Sequence, residues 1–417
     1  MKKICPLCHH IRCLDRAFLP AKASASDLDL YKASDFGYIF ENTIWMDSRV
    51  NTTTFAQDLE WILLNMPRTR RALDQLPDLT GVRLAACTHL DMKFIPAWQG
   101  LAERGASLYV TTCNTSTVRD EVVEYLQTYV DIEASLGMTE QARIQSLRNA
   151  IDWQPTHLCE MGADFSSLIY KEELNHDVLG SCEATSSGLV RLKHLPLQYP
   201  VFNWNDVPIK EHLHNRRMVG ISTWHAFFER THLTLHEKRV AVIGFGPVGQ
   251  GVADSARAYG GEVFVVEKDK GRALEARYAG WEVYSLEDAL RRADVVVTAT
   301  GAPNIVSRGK LGLLKDGCFL INVGHLANEI DVPALLEHSH RTVRPFVEEV
   351  EVSGRRIYLF ADGAMANLAA GFGDSVNAFD LTLAIMVAAI GFSISACDQF
   401  PNGVVLLPKA VWEKVLI

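Results

Sequence analysis

The stretch that decides the fold is Lys238-Arg239-Val240-Ala241-Val242-Ile243-Gly244-Phe245-Gly246-Pro247-Val248-Gly249-Gln250-Gly251. A charged edge runs into an apolar segment too short for a helix. Gly244, Gly246 and Gly249 follow at G-x-G-x-x-G spacing, and a helical pattern continues from Val252 to Tyr259. Strand, tight turn and helix N-terminus in that order make a dinucleotide site. Gly244 permits the turn, Gly246 lets the backbone approach a pyrophosphate, and Gly249 lets the helix pack close to the strand. The free N–H groups of the helix then face the phosphates. A second strand, Glu262 to Val266, ends at Glu267, where such sites carry an acid for the ribose.

Outward from this stretch, strands at 239–243, 262–266, 282–284, 294–298 and 317–322 alternate with helices. Residues 221–375 therefore read as a Rossmann dinucleotide-binding domain. Thr298-Ala299-Thr300-Gly301 and Asn322-Val323-Gly324-His325 end strands on the edge that carries the glycine loop. Such ends line the nicotinamide side of the crevice. Upstream, Val82–Cys87 reads as a buried strand leading into Thr88-His89-Leu90-Asp91, and Ser107–Thr112 as the next, running into Cys113-Asn114. Residues 26–205 thus form a second α/β layout, the substrate-binding domain, with a cleft at the C-terminal strand edges. At such an edge His89 is a helix cap, a core histidine or a catalytic group. His157–Glu160 leads into Met161-Gly162-Ala163-Asp164, and Gly180–Gly188 reads as a small polar loop. Lys210, His214 and Asn215 follow at near-helical spacing within a hinge, 206–220, so they can share a face. Phe55 to Met66 has a helical apolar face. The most apolar stretch, Leu381–Ala396, is shorter than the roughly 20 residues of a membrane span. It reads as a buried helix in a segment, 376–417, that returns to the first domain and ends in a short tail. The expected fold is α/β, two doubly wound Rossmann-like domains around a cleft.

A chain of 417 residues is long enough for two or three domains and a large core. A net charge of −9 and the lack of a basic run argue against a nucleic-acid partner. Nine scattered cysteines point to reduced thiols and a cytoplasmic location, not a disulfide framework. His9, His10 and Arg12 interrupt any apolar h-region, so no signal peptide is expected. Within an N-terminal extension, 1–25, Cys5 and Cys8 stand in a C-x-x-C beside two histidines. They read as half of a zinc site or as free thiols; no second C-x-x-C follows at ribbon spacing.

From about residue 75 onward the chain resembles S-adenosylhomocysteine hydrolases. The matching features are the His89 strand end, Cys113-Asn114, Gly162-Ala163-Asp164, Glu183 with Thr185-Ser186-Ser187-Gly188, and Asn203-Trp204-Asn205-Asp206. Lys210 and Asn215 follow, then Gly-Phe-Gly-Pro-Val-Gly, Asn322-Val323-Gly324-His325 with Glu329-Ile330-Asp331, Asn367-Leu368 and Leu406-Leu407-Pro408-Lys409. The resemblance implies tightly held NAD that oxidises a ribose 3′-hydroxyl, so that the C4′ proton becomes acidic. Elimination at C5′, water addition and re-reduction then follow. It implies that Lys210 assists proton removal at the 3′-hydroxyl, with His89 and His325 near the 5′ and 3′ sides of the sugar and Asn205 holding the lysine region. His214 and Asp91 join this catalytic group, and Asp164, Glu183, Ala184, Met161 and Asp374 the substrate's surroundings. Thr185, Ser186, Ser187, Asn215 and Thr300 would meet the nicotinamide half. Gly244, Gly246, Pro247, Val248, Gly249, Glu267, Val323, Gly324 and Asn367 would meet the rest of the dinucleotide.

The chain departs from the family mainly at the substrate. The family has an acid where this chain has Met161, a glutamate at Ala184, an aspartate at His214, a threonine at Asp91, a histidine at Asp374 and a cysteine at Val219. Basic Lys268, Lys270 and Arg272 follow Glu267 and would favour a 2′-phosphate, but Glu267 argues for NAD. A basic tail reaching the neighbouring protomer is missing, so a homodimer is expected, with the family's tetramer in doubt. The expected substrate is a small nucleoside, S-adenosylhomocysteine or a modified relative. The alternatives are an NAD-dependent nucleoside oxidoreductase, epimerase or lyase, and a non-catalytic regulator that binds NAD or a nucleoside.

Overall fold

The computed structural model describes residues 53–416. The N-terminal Cys5 and Cys8, and with them the question of a zinc site, lie outside the described residues.

Six strands build the first half: β1 (Arg83–Thr88), β2 (Ser107–Thr112), β3 (Asp131–Glu133), β4 (His157–Glu160), β5 (Gly180–Glu183) and β6 (Pro200–Asn203). Eight build the second: β7 (Arg239–Ile243), β8 (Glu262–Val266), β9 (Glu282–Val283), β10 (Val295–Thr298), β11 (Cys318–Asn322), β12 (His340–Arg344), β13 (Val347–Val352) and β14 (Arg355–Phe360). A last strand, β15 (Gly403–Leu406), returns to pair with β6. The first sheet runs β3-β2-β1-β4-β5-β6-β15, parallel throughout. The second runs β9-β8-β7-β10-β11-β14-β13-β12, parallel up to β14 and antiparallel beyond it. Each sheet thus has the doubly wound order, reversing between β1 and β4 in one and between β7 and β10 in the other. In such sheets the crevice lies at the reversal, outside the carboxyl ends of the strands.

Both sheets are covered on two faces, which is why strands such as Val240–Ile243 and Val295–Val297 are apolar without alternation. The helix Val376–Ala396 is buried along most of its length and packs beside the helix Pro67–Asp74. Its Asp380 carboxylate accepts the backbone N–H groups of Arg68 (2.9 Å) and Thr69 (2.8 Å) and the Thr69 hydroxyl. That acid caps a helix whose own N-cap, Met66, supplies no side-chain acceptor. This long apolar helix is therefore a core element.

Several local expectations shift. Gly180–Gly188 is not a loop: Gly180–Glu183 is β5, and Ser186–Leu192 is a helix capped by the Thr185 hydroxyl. Small polar residues fit there because β5 lies buried between two neighbouring strands. The helix after the glycine turn begins at Pro247, ahead of the apolar pattern, because proline suits a first helical turn. The segment Ile209–Met218 is a π-helix, and this decides how Lys210 and Asn215 meet. The hairpin β13–β14 escaped the sequence reading.

Candidate active site

The C-terminal edges of both sheets face one cavity of about 890 Å³. His89 follows β1, Met161 follows β4, Ala184 and Thr185 follow β5, and Asn205 lies just beyond β6. From the other sheet come Gly244 after β7, Glu267 after β8, Thr300 beyond β10, and Val323, Gly324 and His325 after β11.

One arm of the cavity is a dinucleotide cradle. Gly244 has φ +98°, and a Cβ on it would lie 2.6 Å from the Ala299 carbonyl oxygen. A Cβ on Gly249 would lie 1.9 Å from the Gly244 carbonyl oxygen, so the helix can approach the turn only without a side chain. A Cβ on Gly246 would meet nothing nearer than the Arg272 guanidinium, at 3.8 Å, which leaves backbone open to a phosphate. Glu267 lines the cavity and accepts the N–H groups of Phe245 (2.8 Å) and Asp269 (2.9 Å), bracing the turn. An open glycine, a helix N-terminus and a ribose-side acid together fit NAD. Gly249→Ala is expected to cost about 1–3 kcal/mol or more, since the clash is with backbone. The variant should melt earlier and leave gel filtration with less bound NAD.

Two buried glutamates hold the strand-end loops in shape. Glu183 accepts the N–H groups of Gly162, Ala163, Ala184 and Thr185, and the Thr185 hydroxyl. Glu329 does the same in the second sheet, taking the Thr300 and Gly301 N–H groups and the Thr300 hydroxyl. Backbone donors at the ends of parallel strands have no ladder partner, and a buried carboxylate satisfies several at once.

Lys210 is the buried cation of the cavity. A π-helix brings residues five apart onto one face, whereas an α-helix would rotate them about 140° apart. The Lys210 Nζ accordingly donates to Asn215 Oδ1 at 2.9 Å. Asn215 donates to Asn205 Oδ1 (3.1 Å), and Asn205 donates to Ser186 Oγ (3.1 Å) and Asp206 (2.7 Å). Burial pushes the Lys210 pKa down to about 7, against the pull of the Asp374 carboxylate. Near neutrality the amine therefore both holds and releases a proton.

Burial disfavours the charged form of all three cavity imidazoles. Burial pushes His89 down to about 3, helped by His325, Lys210, His214 and Lys93. The Thr117 hydroxyl donates to the Asn114 carbonyl (2.8 Å) and is thereby placed to accept from His89 Nδ1 at 2.8 Å, with Cys113 Sγ 3.6 Å from the same nitrogen. His89 is then the Nδ1–H tautomer, with a lone pair on Nε2. His325 stands with its ring centroid 6.4 Å from that of His89, and burial lowers its pKa as well. His214 Nδ1 lies 2.9 Å from Asp374, itself hydrogen-bonded to Ser222. Burial and Lys210 lower His214, while His214, Lys210 and Ser222 together outweigh burial at Asp374 and keep it ionised. Two of the residues that depart from the resembled family thus form one contact.

The cavity wall includes His89, Asp91, Met161, Ala184, Thr185, Ser186, Ser187, Asn205, Lys210, His214, Asn215, Gly244, Gly246, Pro247, Val248, Glu267, Thr300, Val323, Gly324, His325, Asn367 and Asp374. Three expected residues stand behind it. Glu183 is fully buried and spent on backbone donors. Asp164 is locked between Arg143 (2.9 Å) and Arg191 (2.8 Å). Gly249 packs against the Gly244 carbonyl. The sequence reading missed Lys93, Phe94, Phe379 and Thr382, which close the end beside Asp91 and His214. Lys93 lies on the single turn Met92–Phe94, capped by Asp91, that follows β1 at the same edge.

A doubly wound pair of sheets with a dinucleotide cradle and a proton-exchanging lysine in one cavity defines a nicotinamide-dependent α/β enzyme. Residues 222–373 match the family model for the "S-adenosyl-L-homocysteine hydrolase, NAD binding domain". The chain is 34% identical over 370 residues to an adenosylhomocysteinase of Pyrococcus abyssi, covering 86% of this chain and 88% of that one. It is 33% identical over 343 residues to an S-inosyl-L-homocysteine hydrolase of Methanothermobacter thermautotrophicus, covering 78% and 82%. The chain belongs to the S-adenosylhomocysteine hydrolase family: it is an adenosylhomocysteinase-like enzyme whose cofactor is NAD. Among solved structures, a dipicolinate synthase chain from Bacillus halodurans overlaps 75% of this chain and 99% of its own, at TM-score 0.43 and 14% identity, too loosely to bear on activity.

Proposed function

We propose that the protein oxidises a hydroxyl on the sugar of a nucleoside, S-adenosylhomocysteine or a related thioether, to enable reversible cleavage at C5′. The observation that carries this reading is Lys210, buried in the cavity with a pKa near 7 and held by Asn215. NAD, when bound, supplies the acceptor for the hydride of the sugar hydroxyl and returns it at the end. Neutral Lys210 takes the hydroxyl proton and gives it back in the closing step. The 3′-ketone acidifies C4′–H. The His89 Nε2 lone pair relays that proton to the departing 5′ group in one step, because burial disfavours a standing imidazolium. Water then adds at C5′. Asn205 and Asn215 keep the lysine in register, and His325 closes the opposite side of the sugar.

The family relatives carry different bases by name, adenosyl in one and inosyl in the other. Met161 and Ala184 place apolar groups on the cavity wall. This favours a second reading, a nucleoside with an altered sugar that is oxidised, epimerised or eliminated.

Purified enzyme is expected to carry NAD and to show transient reduced-nicotinamide absorbance when nucleosides are added. Silence with every nucleoside and thioether tried refutes the redox reading. Release of homocysteine from S-adenosylhomocysteine separates the hydrolase from the altered-sugar enzyme.

A further inference from the structure

His214 and Asp374 reverse the order in which the resembled family carries these two residue types, and the chemistry above gives neither a task. His214 stands on the π-helix Ile209–Met218 with Lys210, and both line the cavity. Its Nδ1 lies 2.9 Å from Asp374 Oδ2 and 3.2 Å from the Thr382 hydroxyl. Asp374 is 3% exposed, and Ser222 donates to its other oxygen at 3.1 Å. A buried carboxylate repels a bare lone pair, so the hydrogen belongs on Nδ1. Among the described residues nothing bonds to Nε2. The ring thus offers the cavity a lone pair and has a carboxylate at its back, the arrangement that orients a general base.

The place of this base along the cavity says which proton it serves. His89 and His325 stand together at one end, ring centroids 6.4 Å apart. His214 stands at the other, its ring 6.0 Å from that of Phe379. Lys210 lies between them. Its charge is felt at His89 more strongly than that of His214, and at His214 more strongly than any other. A sugar ketone formed at Lys210 has an acidic hydrogen on each neighbouring carbon. C4′ falls to the His89 end, and C2′ to the His214 end.

Resting on the oxidised-sugar reading above, we propose that His214, oriented by Asp374, is a second base of the cavity that removes and returns the C2′ proton of the 3′-keto sugar. The C2′–H bond breaks, its electron pair forms the C2′–C3′ double bond, and the carbonyl pair moves to the 3′-oxygen. Lys210, having taken the hydroxyl proton, faces that oxygen as an ammonium. The C2′ proton rests on His214 Nε2 while Asp374 offsets the charge, and it returns to C2′ as the ketone re-forms.

The test incubates full-length, NAD-loaded protein with adenosine in D₂O, follows nicotinamide absorbance and locates the deuterium by NMR. Label is expected at C2′ as well as at C4′. In His214→Asn, whose amide still donates toward Asp374 but is no base, the ratio of C2′ to C4′ label should fall about 10²-fold or more. Asp374→Asn should lower the same ratio. Ser222 holds the amide oxygen, so the amide N–H₂ turns to Nδ1 and drives the ring hydrogen onto Nε2. Reduction of the nicotinamide by the native protein with label confined to C4′ overturns the proposal and leaves the redox reading standing. A folded His214→Asn protein that reduces the nicotinamide and keeps the native ratio overturns it too. No nicotinamide signal at all defeats the redox reading, and with no ketone the second base falls with it.

Discussion

Replacing Lys210 with alanine is expected to slow cofactor reduction by about 10²–10⁴-fold, the usual contribution of a positioned acid–base group. The protein should keep its NAD, because Lys210 lies outside the glycine turn and helix N-terminus that cradle the phosphates. Arginine at 210 should fail as badly, since a guanidinium does not give up its proton. The pH profile follows from burial. With its pKa pushed down to about 7, Lys210 is mostly cationic at pH 6 and mostly neutral at pH 8. If the neutral amine takes the hydroxyl proton, the single-turnover rate of cofactor reduction climbs across that interval and levels above it. A profile flat from pH 6 to 8, or a Lys210→Ala protein that loses its NAD, contradicts the role. Stopped-flow absorbance and cofactor content after gel filtration read the two points separately.

Glu183→Ala is expected to cost about 3 kcal/mol or more, since buried donors left unpaired cost about 1–3 kcal/mol each before water refills the gap. The carboxylate holds the N–H groups of Gly162, Ala163, Ala184 and Thr185 together. Without it the loops after β4 and β5 lose their common anchor, and Thr185, Ser186 and Ser187 lose their place on the cavity wall. Glu183→Gln should lie between, because the amide keeps one acceptor but turns an NH₂ toward donors. Urea denaturation measures the loss. If Glu183 instead bound substrate directly, the alanine variant would keep native stability and fail only in substrate binding.

These two residues mark the limit of what could be read without coordinates. Both follow recognisable local patterns, and both looked like ligand contacts. Lys210 faces the cavity, while Glu183 turns inward and satisfies backbone donors. Position after a strand says that a residue sits at the crevice edge; it does not say which way the side chain turns. Asp164 shows the same limit, because its arginine partners lie far along the chain at 143 and 191. Lys93 was passed over for the converse reason. A lysine among mixed residues reads as solvated until Phe372 and Phe379, almost 300 positions later, are seen to enclose it.

By itself the sequence determined the strand–turn–helix at Gly244–Gly249, the repeated strand ends that carry His89, Thr300 and His325, and the family resemblance. These depend on local sterics and on spacing along one chain. Only the tertiary structure decided that both sheets reverse over one cavity, that a π-turn brings Asn215 onto Lys210, and that His214 meets Asp374. Each of these contacts joins groups whose separation in sequence carries no distance information. Burial, which sets the Lys210 pKa, exists only once the chain has closed around it.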